Sequence, residues 1–538
     1  MNRQKHHDSI IVTNDISFEV RSGVSIFRNL SVSFNGEKTG LVGKNGSGKT
    51  TLLRLLFGEL EPTSGKIQRA GHIVYLPQDY QLNLQQTVSE TLGVKEKLEA
   101  LNKVESGNKS SELLEVVGKD WDIQSRISEI FKRLKIEGLN LNRVLSSLSG
   151  GERTKVVIAK LLISKPEFII LDEPTNNLDR ESREIIYELI KNWQHGLLVV
   201  SHDRNLLNLL DQILELSNGK LKIYGGNYDN YKEQKGLEEQ AVKRQLVGAE
   251  QELKKIKKQA QRTKEKQQKR SSQGKKLRDK IGMPKIILGK MKETSETTSS
   301  RLQKLHEKRI EGAVSNLDEA KAKISPENQI NVDLSGTKVP TGKLIVETKD
   351  LNFSYEDNKP LFQNFTISLH GPIRLALNGP NGSGKTTLIK LFLKELEPLN
   401  GEVSLGVDKF AYLDQDVAVL QKDKTLIDNL KHISNLDDNI ARKWLARFLF
   451  RNEDVFKKVE VLSGGERMRA ALACILAGDK PPQLLILDEP TNNLDLDSIE
   501  QIESALLNFQ GALIVISHDR NFLRNIGVRE EITLLFYS

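Results

Sequence analysis

The 538-residue sequence predicts an α/β protein with two similar domains built on buried parallel strands and joined by an α-helical hairpin linker. Three observations carry this. The chain exceeds the roughly 250–300 residues at which a single hydrophobic core stops growing. A set of motifs occurs twice in the same order, and between the two copies apolar residues step by three and four along a strongly charged stretch.

The repeat fixes the frame. GKNGSGKTTL beginning at Gly43 recurs as GPNGSGKTTL at Gly379, 336 residues on, and LSGGER at Leu148 recurs at Leu462, 314 on. LDEPTNNLD at Leu171 recurs at Leu487, and SHDRN at Ser201 recurs at Ser517, each 316 on. Gln78 in YLPQ and Gln415 in YLDQ are 337 apart, so the first copy carries 23 additional residues between this glutamine and LSGGER. Helix formers interrupted by Gly107-Asn108 make that insertion, at about 85–125, a projecting helical hairpin. The domains expected are 1–231, a linker at 232–340, and 341–538.

In the linker, Val242, Leu246, Ala249, Leu253, Ile256 and Ala260 form one narrow apolar seam, and Ile310, Ala313, Leu317, Ala320 and Ile324 a second. Both fit helices, most simply an antiparallel pair. Residues 271–300, with Gly, Pro and Ser/Thr, break the pattern and read as the hairpin tip, where Ile281, Met283, Ile286, Ile287 and Leu288 are unusually apolar for an exposed loop. From Ser325-Pro326 onward the chain reads as an extended connector.

Charge is concentrated in the linker. The chain is +8 overall, but residues 231–310 hold 24 Lys+Arg against 10 Asp+Glu, a net +14, which leaves the remainder at −6. A local excess of this size points to a polyanionic partner at that segment rather than to general solubility. No run approaches the roughly 18–20 apolar residues of a membrane span, and the start MNRQKHHDSI lacks an apolar leader core. The one cysteine, Cys474, lies among small apolar residues, which suits a packed helix position in a reducing compartment and excludes zinc-binding cysteine modules.

Gly43-Lys44-Asn45-Gly46-Ser47-Gly48-Lys49-Thr50 and Gly379-Pro380-Asn381-Gly382-Ser383-Gly384-Lys385-Thr386 each follow a strand-like run and precede a helix-like one. This is the phosphate-binding loop: glycines turn backbone N–H groups inward, Lys49 and Lys385 reach the β- and γ-phosphates, Thr50 and Thr386 offer hydroxyls to Mg²⁺, and Thr51 and Thr387 complete the nucleotide-binding set. The runs Phe168–Leu171 and Leu484–Leu487 fit strands buried on both faces, each ending in an acidic pair. Two carboxylates at such a place are costly unless they serve a metal or a reaction. Asp172 and Asp488 are therefore the expected Mg²⁺ ligands, and Glu173 and Glu489 the groups that polarise the attacking water.

These residues resemble the ABC ATPase superfamily over nearly all the chain except the linker and the insertion. The resemblance implies two P-loop NTPase cassettes in which the LSGGE segment of one closes over ATP held by the other: Ser149, Gly150 and Gly151 over Lys385, and Ser463, Gly464 and Gly465 over Lys49. It further implies that Gln78 and Gln415 are Q-loops reaching nucleotide and Mg²⁺, that Asp179 and Asp495 are D-loops, and that His202 and His518 are switch histidines. Tyr355 stands where the superfamily stacks an aromatic on adenine. The first copy departs from this with Val20, leaving Phe18 or Phe27 as substitutes.

Within that superfamily the chain most resembles the ABC-F family: two cassettes without a membrane domain, DEPTNNLD and SHDRN in both halves, GNYDNY before the linker, and an arm-like insertion after the first Q-loop. The resemblance implies a cytoplasmic, monomeric ATPase that closes its own cassettes on ATP. It implies binding to rRNA and P-site tRNA near the ribosomal tRNA exit site through the linker and arm, to regulate translation or to confer antibiotic resistance. A transporter motor with separate membrane subunits, or a DNA-associated ATPase, is the alternative. Lys and Arg in LKKIKKQAQRTKEKQQKR and KKLRDK, without aromatic residues in the linker, favour backbone and shape recognition of nucleic acid over base readout.

Overall fold

The computed structural model describes residues 10–534 except 21–22, 79–82, 109, 177, 282–284, 323–329, 331, 356–359 and 479–480, and omits the side chains of 267, 270–271, 274–299, 302–303 and 322. Residues 1–229 with 328–538 form one compact unit and 230–327 a second.

The first half of the larger unit contains β1 (Ile11–Glu19), β2 (Ser25–Phe34), β3 (Lys38–Val42), β4 (Ser64–Arg69), β5 (Ile73–Leu76), β6 (Phe168–Asp172), β7 (Gly196–Val200), β8 (Gln212–Ser217) and β9 (Lys220–Gly225). They make a six-stranded sheet, order β5-β6-β7-β3-β8-β9, and a three-stranded sheet, order β2-β1-β4. Only β9 runs antiparallel in the larger sheet, and the smaller one is antiparallel throughout. The second half repeats the plan with β10 (Leu344–Ser354), β11 (Pro360–His370), β12 (Arg374–Asn378), β13 (Asn400–Leu405), β14 (Phe410–Leu413), β15 (Leu484–Asp488), β16 (Ala512–Ile516) and β17 (Glu530–Thr533). Their sheets have orders β14-β15-β16-β12-β17 and β11-β10-β13.

The continuous apolar strands are explained by two cores, one on each face of the parallel sheet. Side chains alternate along a strand. In β15, Leu484 and Ile486 enter the core that holds Leu388, Ile389 and Phe392, while Leu485 and Leu487 enter the core that holds Leu472, Ile502 and Leu506. In β16, Ile514 joins the first and Leu513 and Val515 the second. The first half matches: Leu52, Leu53, Leu55 and Leu56 of helix Lys49–Phe57 share one core with Phe27 and Phe34 of β2 and with Phe168 and Leu198 of the parallel sheet. The helix after each phosphate-binding loop is thus clamped between two sheets, which holds the loop itself in place.

The insertion resolves into two helices, Lys95–Glu105 and Ser111–Val117, packed on each other. Leu98, Leu101, Val104 and Val117 are buried, and Asp120 binds Lys97 at 2.5 Å and Arg126 at 2.9 Å. Leu114, Val116 and Trp121 are exposed. The flanking helices Val88–Leu92 and Ile123–Arg133 have counterparts in Leu426–Ser434 and Asp438–Arg447. The connector ahead of the second half does more than span a gap: Ile330, Val332 and Leu334 pack into one of its cores and Val339 into the other.

The smaller unit consists chiefly of helix Tyr228–Ile281, whose first two residues belong to the larger unit, and helix Lys285–Ala322. Both run further into 271–300 than the composition suggested. An isolated Gly costs a helix only about 1 kcal/mol, and the many Lys and Arg residues there are good helix formers. Met283 and the side chains of Ile281, Ile286, Ile287 and Leu288, like Ile324, lie outside the described residues. Among the described residues no helix is long and apolar enough to cross a membrane.

Cys474 is fully buried in helix Gly464–Ile475, and burial pushes its thiol up to about 12. Because the thiolate is the reactive form, the native protein is expected not to react with a thiol-specific disulfide reagent at pH 8, and to react with one equivalent in denaturant. Rapid reaction of the native protein would contradict this packing.

Candidate active site

Both glycine-rich loops sit where the sequence places them, between a central parallel strand and a helix N-terminus. Gly43 follows β3 and Gly379 follows β12, and the left-handed Gly48 and Gly384 cap helices Lys49–Phe57 and Lys385–Phe392. Such a helix start presents unpaired N–H groups and the positive end of the helix dipole to an anion. Lys49 Nζ donates to the carbonyls of Gly43 (2.7 Å) and Lys44 (3.1 Å), and Lys385 Nζ to those of Gly379 (2.7 Å) and Pro380 (3.0 Å). Burial lowers the pKa of both ammonium groups, an effect opposed by Glu173, Asp495 and Asp172 at Lys49 and by Glu489, Asp488 and Asp179 at Lys385.

The acidic pairs end β6 and β15 beside these loops. Thr386 Oγ1 donates to Asp488 Oδ2 at 2.9 Å, and Thr50 is hydrogen-bonded to Asp172. Two tyrosines that sequence reasoning passed over complete each pair: Tyr75 Oη donates to Asp172 Oδ2 (3.4 Å) and Tyr412 Oη to Asp488 Oδ2 (3.3 Å). Their signal was the tyrosine three residues before each Q-loop glutamine. Gln78 and Gln415 themselves are exposed, just beyond strands β5 and β14 that neighbour β6 and β15.

The histidines stand beside Glu173 and Glu489, and it is their backbone that hydrogen-bonds the carboxylates. Glu173 Oε1 lies 3.1 Å from His202 Nε2, and Glu489 Oε1 lies 3.3 Å from His518 Nε2. Burial drives each pair toward its neutral form. It raises the Glu173 carboxyl and lowers the His202 imidazole; it pushes Glu489 up to about 7 and His518 down to about 4. The backbone at both glutamates is left-handed, with φ of 49° and 47°. Their N–H groups donate to Val200 and Ile516 carbonyls at 2.9 Å, tying each to the strand that leads into its histidine.

The two halves meet reciprocally. Asp495 caps helix Leu496–Leu507 by accepting from Ser498 N (2.8 Å), and its Oδ2 also accepts from Asn45 N of the first loop (2.9 Å). Asp179 caps helix Arg180–Asn192 through Ser182 N (3.0 Å) and is hydrogen-bonded by the backbone of Asn381 in the second loop. Burial opposes ionisation of both aspartates, but these hydrogen bonds outweigh it and hold them below the usual carboxylate range. Asn45 Nδ2 also donates to Asn493 O at 2.9 Å.

Ser149 and Ser463 open helices Gly150–Ile163 and Gly464–Ile475 with capping boxes: each serine Oγ accepts from the backbone of Glu152 or Glu466, whose carboxylates accept in return. Gly150, Gly151, Gly464 and Gly465 form the first turns. Among the described residues, the cross-cassette hydrogen bonds at the phosphate loops run through the D-loops rather than through these serines.

At the adenine position, Tyr355 is 66% exposed, stands edge-on to Phe353 and hydrogen-bonds Thr387 Oγ1 at 3.1 Å. Of the two expected substitutes in the first half, Phe27 does not take its place, while Phe18 is half-buried. β1 and β2 pair Phe18 with Phe27; Phe27 is fully buried and Phe18 packs on the same core, which leaves Val20 at the surface.

Fold and site together define the class: a tandem-cassette ATPase of the ABC type, each site completed by the other half. The ABC transporter family model (ABC_tran) matches residues 27–176 and 362–492, and a second ABC transporter model (ABC_tran_Xtn) matches 214–305. ABC transporter F family member 5 of Arabidopsis thaliana is 31% identical over 98% of this chain and 73% of its own length. ATP-binding protein Uup of Haemophilus influenzae is 31% identical over 90% and 72%. A solved structure titled as archaeal ribosome recycling factor aABCE1 in complex with ribosomal stalk protein aP1 shares the fold, with TM-score 0.53, 20% identity and coverage of 96% of this chain and 86% of that one. The chain belongs to the ABC-F family of ABC proteins and is an ATP-binding ATPase.

Proposed function

We propose that the ATPase cycle controls binding to the ribosome near the tRNA exit site, with the basic linker 232–340 lying against P-site tRNA and rRNA, the insertion making further contact, and hydrolysis releasing the protein in the cytoplasm. The observation that carries this is the linker. It contains two long helices in a compact unit of their own, with a net +14 over residues 231–310 and many exposed Lys and Arg. Such a surface neutralises phosphates without reading bases.

The position of each residue supports the following roles at the two sites. Backbone N–H groups of Gly43–Thr51 and Gly379–Thr387 cradle the phosphates, with Lys49 and Lys385 against the β- and γ-phosphates. Ser149, Gly150 and Gly151, and Ser463, Gly464 and Gly465, close over the nucleotide of the opposite cassette, and Tyr355 stacks on adenine in the second site. Asp172 Oδ1 is buried without a hydrogen-bond partner, and the Thr50 and Thr386 hydroxyls adjoin the two aspartates, so the residues present suit a hard cation that prefers oxygen. Mg²⁺ bound there, with Gln78 and Gln415 nearby, supplies charge neutralisation at the phosphates. Glu173 and Glu489 orient the attacking water and take its proton, and His202 and His518 hold those carboxylates in register.

The test uses the Glu173→Gln, Glu489→Gln double variant, which retains ATP and keeps the cassettes closed. Co-sedimentation with purified 70S ribosomes is expected with ATP and not with ADP. Failure to pellet with either nucleotide sinks the ribosomal reading and returns the weight to a membrane-bound or DNA partner.

A further inference from the structure

We infer that Arg204 is a positioning residue for hydrolysis at the first ATP site, acting across the cassette interface through Glu503, and that the two sites are thereby unequal. This rests on the site assignments proposed above. Arg204 Nη1 and Nη2 donate to Glu503 Oε1 (2.7 Å) and Oε2 (3.3 Å), a two-pronged pair in which both residues are buried. Asn525 Nδ2 adds a third hydrogen bond to Glu503 Oε1 at 3.1 Å. Arg204 also hydrogen-bonds the hydroxyl of Tyr228, the first residue of the long helix Tyr228–Ile281, and faces Asp519 of the second cassette.

Both partners belong to the first site. Only Asp203 separates Arg204 from His202. Glu503 lies on helix Leu496–Leu507, two turns beyond Asp495, whose carboxylate holds the Asn45 N–H of the first phosphate loop. That helix is pinned to the first cassette at two points, so it cannot tilt away from His202 and Asn45 without breaking a buried charge pair or a charge-assisted hydrogen bond.

The repeat shows that the second site lacks the same pin. At the 316-residue offset, Asn205 and Asn521 are equivalents and hydrogen-bond to each other at 2.9 Å, which marks the pseudo-twofold axis. The equivalent of Glu503 is Tyr187, whose hydroxyl turns to Asp203 of its own cassette at 2.5 Å, and the equivalent of Arg204 is Arg520, which is exposed. Among the described residues, the buried two-pronged pair of Arg204 with Glu503 therefore has no counterpart at the equivalent positions of the other half, where Arg183 faces Glu489 and Asp519 of the second cassette instead.

The experiment resolves the sites by background. ATP hydrolysis is measured in Glu489→Gln, where the first site alone turns over, and in Glu173→Gln, where the second does. Arg204→Ala and the isosteric Glu503→Gln are each expected to lower first-site turnover about tenfold and to change second-site turnover less than about twofold. Combined, they lower first-site turnover by clearly less than the product of the two single effects, because they share one interaction. Thermal melting of each variant runs alongside, and Glu503→Gln carries the test if Arg204→Ala does not fold. Equal losses at both sites, or no loss at the first, overturn the inference. Full turnover in the Glu173→Gln, Glu489→Gln double variant would instead remove the site assignment on which it stands.

Discussion

Replacing Glu173 and Glu489 together by glutamine lowers steady-state ATP turnover by about 10²- to 10⁴-fold, the span typical of losing a positioned proton acceptor. Each carboxylate immediately follows a fully buried strand, is anchored through its own N–H to the neighbouring strand, and lies within 3.3 Å of a histidine. Glutamine keeps the shape and cannot take the proton. ATP affinity should therefore stay within a few fold, so the loss appears in kcat rather than KM. Phosphate release together with equilibrium binding of a fluorescent ATP analogue separates the two. A double variant whose turnover is intact, or whose affinity falls in step with its rate, contradicts the assignment.

The second large effect is expected at the first glycine of each phosphate loop. Gly43 has φ +155° and Gly379 φ +151°, and a Cβ at either would lie 2.5 Å or 2.6 Å from the backbone carbonyls of Leu216 and Leu534. Backbone in the parallel sheet (Leu216) or hydrogen-bonded to it (Leu534) cannot yield as a flexible side chain can, so the loop must shift and its N–H groups leave their common focus. Strain of this kind costs about 1–3 kcal/mol, and Gly43→Ala is expected to weaken ATP binding at the first site at least about tenfold. The control is Gly46→Ala in the same loop, where φ is +78° but nothing lies within 4 Å of the added atom. Its cost is confined to backbone preference, about 1–2 kcal/mol. Binding of the nucleotide analogue to both variants, in a background with Lys385→Ala at the second site, reads the difference; equal losses would count against the steric argument.

The repeat made much of this architecture legible, because a motif met once is ambiguous and the same motif met twice in the same order is not. Strands β6 and β15 could be read from Phe168–Leu171 and Leu484–Leu487 because a strand buried on both faces leaves no polar position to confuse the pattern. The helices of the linker were legible from their seams, but their extent through 271–300 was not, since Gly and Ser lower helix propensity without forbidding it. Tyr75 and Tyr412 escaped notice because their contacts with Asp172 and Asp488 are made between neighbouring strands distant in sequence. The burial of Phe27 is hidden for the same reason: aromatic character is visible in a sequence, but the register that pairs Phe27 with Phe18 and turns it into the core is not. The pairing of Arg204 with Glu503 is invisible in either repeat alone, since it joins residues that are not equivalents.

The left-handed backbone at Glu173 and Glu489 has a consequence for how these positions tolerate change. Glutamate is a poor occupant of that region, and glycine or asparagine would sit there with less strain. The local fold and the chemistry proposed for these carboxylates thus ask for different residues at the same two points. Selection for a more heat-resistant protein and selection for a working ATPase pull in opposite directions there, and a sequence drifting free of the need to hydrolyse ATP would be expected to lose these glutamates first.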